Sequence, residues 1–222
     1  MYNGTNFYNV GYWKEHTGTL GEACSSLVSR HLDLVKLNVL PHEILDAGCG
    51  LGTTTFMIGQ QYPYARVTGI NISTRQIGYA KEQYRDLRFE VMDAAALTFP
   101  DNSFDLIISI EAAFHFNTRE KFLEQAFRVL RPGGQLIYSD LLFNDTSWVG
   151  NWSVPEPNLL PDKEMYSGML NNSGFRIDYM EDITHDSWLG FCRHIRQLPG
   201  METLANGLQQ SVIAYLLVSL RK

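Results

Sequence analysis

Short apolar runs alternate with helical stretches from residue 43 to residue 143. Ile44 and Leu45 end the first run, and RVTGINI (66–72), LRFEVMD (87–93), FDLIISI (104–110) and QLIYSDLLF (135–143) follow, separated by turn signals or by helical stretches. Runs apolar throughout, rather than at every second position, belong to strands covered on both faces, which implies a parallel sheet flanked by crossover helices. Upstream, Leu20, Ala23, Cys24, Leu27, Val28, His31, Leu34 and Val35 recur at helical spacing and predict an amphipathic helix packed on the core. Two helix starts carry capping-box chemistry, Ser73 with Gln76 in STRQ and Asn117 with Glu120 in NTRE. Downstream, Pro155, Pro157 and Pro161 make 148–161 a loop near the strand ends. A helix over 162–172 then ends at Gly174, and strands are expected at 175–183 and 212–220.

Composition narrows the class. The 222 residues, 45% hydrophobic and 19% charged, suffice for one core and one domain. The net charge of −6 is spread without an acidic or basic block, so no phosphate-tracking surface and no nucleic-acid partner is expected. Cys24, Cys49 and Cys192 lie far apart with no CxxC pair, which suits a reducing compartment. MYNGTNFYNV lacks the charged start and apolar core of a signal peptide, and no apolar run approaches the ~20 residues of a membrane span. A soluble, cytoplasmic protein is expected. His16, His31, His42, His185 and His194 show no ligand spacing, and HDSWLGFCRH (185–194) matches no zinc pattern, so no metal is expected. Arg193, His194 and Arg196 read as a solvated helix face.

Candidate chemistry starts at EILDAGCGLGTTT (43–55), where Gly48, Gly50 and Gly52 directly follow a strand. A dinucleotide fingerprint GxGxxG would need a third glycine where Thr53 stands, and a phosphate loop would need GKS or GKT where the chain has GTT. What remains is DxGxGxG opening a helix, with Asp46 at the strand end and glycines that let the backbone pass close to a cofactor. A glycine-rich turn without ligand satisfies that string equally well.

Six further pieces, in order and at compatible spacing, accompany LDAGCGLG (45–52): FYNVGYW (7–13), VTGINIS (67–73), FEVMDAAALTFPDNSFD (89–105), EAAFHF (111–116), FRVLRPGG (127–134) and SDL (139–141). On these the chain resembles the class I S-adenosylmethionine-dependent methyltransferases, in the small-molecule branch that acts on quinones, tocopherols, sterols and natural products. The resemblance implies a Rossmann-like α/β fold, with a mostly parallel seven-stranded sheet, helices on both faces and an antiparallel last strand. It divides the chain into an N-terminal helical or lid segment (1–40), a cofactor-binding core (41–143) and an acceptor-side loop with C-terminal strands (144–222). It implies S-adenosylmethionine as cofactor, S-adenosylhomocysteine as product and a small-molecule acceptor, with either a monomer or a homodimer compatible.

The resemblance also assigns residues. Asp46 would organise the glycine loop and the methionine amino group, with Gly48, Gly50 and Gly52 allowing close approach. Asn71, 19 residues past Gly52 (71 − 52), stands where an acid normally accepts the ribose hydroxyls, near the roughly 20-residue offset of adenosine-binding folds. Ile72 would pack on the adenine face, Asp93 and the Ala94 backbone would meet its edge, and Gln76 and Glu111 would complete the cofactor site. Tyr8, Tyr12 and Trp13 would close over it. Methyl transfer to a hydroxyl also requires proton removal, and His115 with Asp140 would form the base machinery. Glu111 as a surface carboxylate, Asp93 as a turn former, and Trp148 and Trp152 as either acceptor-pocket wall or loop packing remain alternatives. The expected reaction is O-methylation of a secondary metabolite or isoprenoid-like compound. N- or C-methylation, or a cyclase that binds the cofactor without net transfer, are the alternatives.

Overall fold

The computed structural model describes residues 5–150 and 152–222; the first four residues of the N-terminal stretch, and Asn151 within the proline-rich loop, lie outside the described residues. The elements run α1 (Leu20–Leu32), β1 (Glu43–Ala47), α2 (Thr53–Gln61), β2 (Arg66–Asn71), α3 (Thr74–Gln83), β3 (Arg88–Val91), β4 (Phe104–Ile110), α4 (Arg119–Val129), β5 (Leu130–Phe143), α5 (Lys163–Asn172), β6 (Arg176–Asp182), α6 (Trp188–Arg196), α7 (Glu202–Ser211) and β7 (Val212–Arg221). The strands form one seven-stranded sheet in the order β3-β2-β1-β4-β5-β7-β6. β1 pairs in parallel with β2 and β4, β2 with β3, and β4 with β5, while β7 runs antiparallel to both of its neighbours. This is the architecture that the resemblance implies, antiparallel last strand included, and the parallel part of it is what the apolar pattern predicts.

Successive strand residues feed opposite faces, as the two-residue repeat of a strand requires. Ile44, Leu106, Ile108, Ile137 and Leu217 pack in one core layer with Leu27 and Val28 of α1 and Trp188 and Phe191 of α6. Leu45, Ile107, Leu136, Leu142 and Leu216 pack in the other, against Phe122, Leu123 and Ala126 of α4 and Tyr166 and Leu170 of α5. The edge strands differ: β6 alternates exposed and half-buried residues and β3 carries Arg88 and Glu90, a charged rim that discourages edge pairing.

Both expectations about helix caps change, and a third cap comes into view. At α3 the Ser73 hydroxyl accepts from the Gln76 backbone N–H, but the Gln76 side chain turns to Asn71, so the box is half made. At α4 the cap is Thr118, accepting from Lys121, and not Asn117. The complete capping box opens α1, where Thr19 accepts from the Glu22 N–H and the Glu22 carboxylate accepts from the Thr19 N–H. The sequence pattern also passes over α7 altogether, because its exposed face mixes Glu202, Asn206 and Gln209 with no strong apolar stripe.

Strand order reverses between β1 and β4, so the crevice at the carboxyl ends of these strands lies open between divergent connections. The N-terminal strap crosses this crevice and is docked on α1 and α6. Tyr12 N–H donates to Ala23 O at 2.9 Å, Trp13 N–H donates to Asp186 O at 2.7 Å, and the Trp13 indole lies against Gly190. A Cβ at Gly190 would sit 2.4 Å from Trp13 Cδ1, whereas one at Gly168 of α5 would meet nothing within 4 Å. Gly190→Ala is therefore expected to destabilise the fold by ~1–3 kcal/mol through overpacking. Gly168→Ala should be neutral or stabilising by up to about 1 kcal/mol, as an alanine in a helix. Urea unfolding of the two variants checks the contrast; equal effects would mean that Trp13 is not seated on α6.

Candidate active site

The crevice is a cavity of about 580 Å³ lined by residues that follow each strand end. Gly48 to Leu51 come after β1, Asn71 to Ser73 after β2, Met92 to Ala94 after β3, and Glu111, Ala112 and Phe114 to Asn117 after β4. Asn6 to Asn9 of the strap and Trp152 and Ser153 of the 144–161 loop close it from the sides.

The three glycines do different work. Gly48 and Gly52 have φ of +85° and +88°, and a Cβ on them would meet Ala112 at 2.4 Å and Ala80 and Phe89 at 2.9 Å, so packing excludes side chains there. Gly50, at φ +55°, would meet only Tyr8 Cδ2, at 3.4 Å, and it is the glycine whose missing side chain leaves room in the cavity. Gly52 does not line the cavity, and neither does Asp46. Asp46 is buried beneath the loop and accepts from the Thr55 hydroxyl at 2.6 Å, and burial raises its pKa to about 7. It ties the loop to the first turn of α2.

Asn71, Ile72, Gln76, Asp93 and Ala94 all reach the cavity. Asn71 Oδ1 accepts from the Ser73 N–H at 2.9 Å and its amide donates to Gln76 Oε1 at 2.8 Å, which fixes the pair at the end of β2. Asp93 both turns the chain, accepting from the Ala95 N–H at 2.8 Å, and lines the cavity. Ile72 is 72% exposed on the rim. Glu111 is buried at φ +52°, where its carboxylate accepts from the Val10 N–H at 2.9 Å and 3.1 Å and from the Tyr215 hydroxyl at 2.5 Å. Burial raises its pKa to about 7. Glu111 thus links the strap to the cavity floor and is not a surface carboxylate.

Besides Gly52 and Asp46, two more assigned residues fall elsewhere. Tyr12 does not line this cavity; its hydroxyl donates to Asp186 at 3.3 Å in a separate cleft with Lys14, Arg193 and His194. Tyr8 does line it. Asp140 is also outside. β5 continues to Phe143, so Asp140 sits within the strand opposite Leu216. Its carboxylate is fully buried and bound to Arg119 Nε at 2.6 Å, and the Tyr166 hydroxyl donates to it at 3.2 Å.

Arg119 is the residue that sequence reasoning misses. Its guanidinium is 2% exposed, and besides Asp140 it donates to the Leu141 carbonyl at 2.7 Å and to the Asn158 carbonyl. Its backbone N–H donates to Asn158 Oδ1 at 3.0 Å, and the Asn158 amide donates to Phe114 O at 3.0 Å and Phe116 O at 2.7 Å. One buried network therefore joins β5, the first turn of α4, the 113–116 turn and the proline-rich loop. A signal was present in the sequence: an arginine opening a helix opposes the macrodipole and calls for a specific anionic partner.

The network places His115 on the cavity wall. His115 Nδ1 lies 2.7 Å from Ser153 O, and because a carbonyl only accepts, Nδ1 carries the proton and Nε2 the lone pair. His115 is exposed to the open cavity, and partial desolvation by the walls around the ring lowers its pKa, against the opposing hydrogen bond to Ser153 and the more distant Asp140 charge. The ring is neutral at pH 7 and has the tautomer of a base. Its partner is thus a backbone carbonyl of the loop, not the carboxylate of Asp140.

Comparison with known proteins bears on the family and the fold. A methyltransferase-domain model matches residues 45–138. The chain is 31% identical over 209 residues to an O-methyltransferase of Pyrenophora dematioidea, covering 88% of this chain and 74% of that protein. It is 28% identical over 209 residues to the erythromycin 3''-O-methyltransferase of Saccharopolyspora erythraea, covering 83% and 68%. Geranyl diphosphate C-methyltransferase from Streptomyces coelicolor A3(2), solved with Mg2+, geranyl diphosphate and S-adenosyl-L-homocysteine, shares the fold at a TM-score of 0.80 and 15% identity, over 99% of this chain and 90% of that one. With the seven-stranded sheet, the glycine loop and the crevice at the strand ends in place, the chain belongs to the class I S-adenosylmethionine-dependent methyltransferases, in their small-molecule branch.

Proposed function

We propose that the protein methylates a hydroxyl of a small-molecule acceptor, with His115 as general base. The observation that carries this reading is the state of His115: a neutral ring on the cavity wall, Nδ1 held by Ser153 O, and Nε2 left to take a proton. The names of the O-methyltransferase relatives support a hydroxyl over an amine or carbon acceptor.

The lining fits the cofactor. Bound S-adenosylmethionine supplies a methyl group already activated on a sulfonium, so the chain's own residues have only to align the acceptor, exclude water and remove one proton. Among the described lining residues the formally charged side chains are Asp93 and Glu111, a donor set suited to a cation-bearing ligand. Gly50 would let the backbone lie against the amino-acid tail, and the Asn71–Gln76 pair would meet the ribose. Asp93, Ala94 and Ile72 would hold the adenine, and Tyr8 would close the tail side. Asp140, held by Arg119, would act on His115 only as a positioning residue, through Asn158 and the loop.

His115→Ala should lower kcat/KM on a hydroxyl acceptor by ~10²–10⁴ while leaving S-adenosylhomocysteine affinity, measured by calorimetry, within a few-fold. Intact turnover would remove the base from the mechanism. Because the neutral form is the active one, activity is present above the His115 pKa and lost as pH falls through it. Since partial desolvation lowers that pKa, the acidic limb of kcat/KM is expected below pH ~6.5.

Asn158→Ala should free the 113–116 turn and move that limb upward as the ring becomes solvated, whereas Asp140→Asn should act mainly on stability. Breaking a buried pair from one side costs about 3–5 kcal/mol. Thermal unfolding beside the pH profile separates the two; an Asp140→Asn protein of unchanged stability and much reduced turnover would return Asp140 to the base machinery.

A further inference from the structure

Resting on the O-methylation reading, the cavity itself narrows the acceptor. We propose that the acceptor is an uncharged, planar molecule whose methylated hydroxyl is phenolic or enolic, seated against the aromatic wall of Phe114, His115 and Trp152. The first ground is charge. Among the described lining residues there is no lysine and no arginine, while Asp93 and Glu111 both face the cavity. Arg119, the buried guanidinium nearest the 113–116 turn, is consumed by Asp140 and by the carbonyls of Leu141 and Asn158. A phosphate or carboxylate entering here would lose its hydration with no cation of the protein to replace it.

The second ground is shape. The Phe114 and Trp152 rings lie nearly parallel, 5.6 Å apart at 26°, and Phe114 contacts the His115 ring at 4.0 Å. Trp152 is backed edge-on by Phe143 at 6.3 Å and by Trp188 at 6.3 Å, so the wall is set by the core and does not depend on the loop alone. A ring packed on such a wall gains both apolar burial and quadrupole complementarity, about 0.5–1.5 kcal/mol beyond area for an aromatic pair. The third ground is proton affinity. General-base transfer is favoured when the two pKa values approach each other, and a phenolic hydroxyl near 10 lies far closer to an imidazole held below its usual range than an alkyl alcohol does.

Proton and methyl balance without a further reactant. The acceptor oxygen gains the methyl group, its proton passes to His115 Nε2 and then to solvent, and the cofactor leaves as S-adenosylhomocysteine.

The test uses the full chain with five probes on one skeleton: 2-naphthol, 6-hydroxy-2-naphthoate, 2-naphthyl phosphate, decahydro-2-naphthol and 2-naphthylamine. Calorimetry on protein saturated with S-adenosylhomocysteine reads binding, and S-adenosylhomocysteine formation reads turnover. The expected result is binding of 2-naphthol at least tenfold tighter than of the carboxylate and the phosphate ester. 2-Naphthol should also turn over at least a hundredfold faster than the saturated alcohol. Trp152→Ala should weaken 2-naphthol binding by tenfold or more, with Trp152→Phe restoring most of it and S-adenosylhomocysteine affinity unchanged in both. Equal or tighter binding of either anion, equal turnover of the saturated alcohol, or failure of 2-naphthol to bind would overturn the proposal. If 2-naphthol binds with the expected selectivity but only 2-naphthylamine is methylated, the claim of a neutral planar acceptor stands and O-methylation fails.

Discussion

The Arg119–Asp140 ion pair is the constraint on which the acceptor side of the molecule depends. Both side chains are almost wholly out of water, at 2% and 0% exposure, and such a pair is maintained only when further hydrogen bonds satisfy the remaining donors and acceptors. Here they do: Tyr166 and the Leu141 N–H complete the carboxylate, and the carbonyls of Leu141 and Asn158 complete the guanidinium. Those same bonds carry the chain from the middle of β5 to a proline-rich loop with little regular structure of its own. Because Asn158 also ties down the carbonyls of Phe114 and Phe116, His115 is fixed from both ends of its turn. The pair contributes less to net stability than to a unique loop position.

The opposite side of the cavity is held by Glu111. Its raised pKa, its left-handed backbone and its bonds to Val10 and Tyr215 are features of one arrangement: a carboxylate buried where the strap crosses the strand ends. Ser139, in contact with both the Tyr215 hydroxyl and the Glu111 N–H, extends the arrangement into β5. Cofactor side and acceptor side are thus anchored to the same strand, Ser139 facing one and Asp140 the other, as alternation along a strand dictates. The strap and the 113–116 turn are consequently both tied to neighbouring residues of β5, the turn by way of Asn158 and Ser153 in the loop.

The sheet was legible because its strands are apolar on both faces, and the β4 boundaries match the apolar run residue for residue. Cavity residues following β2, β3 and β4 were legible for the same reason: once strand ends are placed, the residues after them must line the crevice. What was not legible depends on long-range pairing. Asp140 already lies inside the apolar run 135–143, and the resemblance alone puts it in the base machinery; what no local pattern shows is that Arg119 from another element meets it there. Asp46 and Tyr12 likewise lie near the site in sequence order but turn to Thr55 and Asp186. Asn158 carries no local signal, since its value lies in four partners distant in the chain. Ser153 contributes through its carbonyl, which any residue would supply, so no side-chain pattern could reveal it.

The account rests most directly on the protonation and tautomer of His115, and these can be read without any acceptor. Nitrogen-15 NMR of histidine-labelled protein bound to S-adenosylhomocysteine, assigned by the loss of one ring in His115→Gln, reports both. The prediction is a neutral ring at pH 7, protonated on Nδ1, that titrates below the ordinary histidine range of about 6.5. An imidazolium at pH 7, or a neutral ring protonated on Nε2, would contradict it, because neither could accept a proton from a hydroxyl in the cavity.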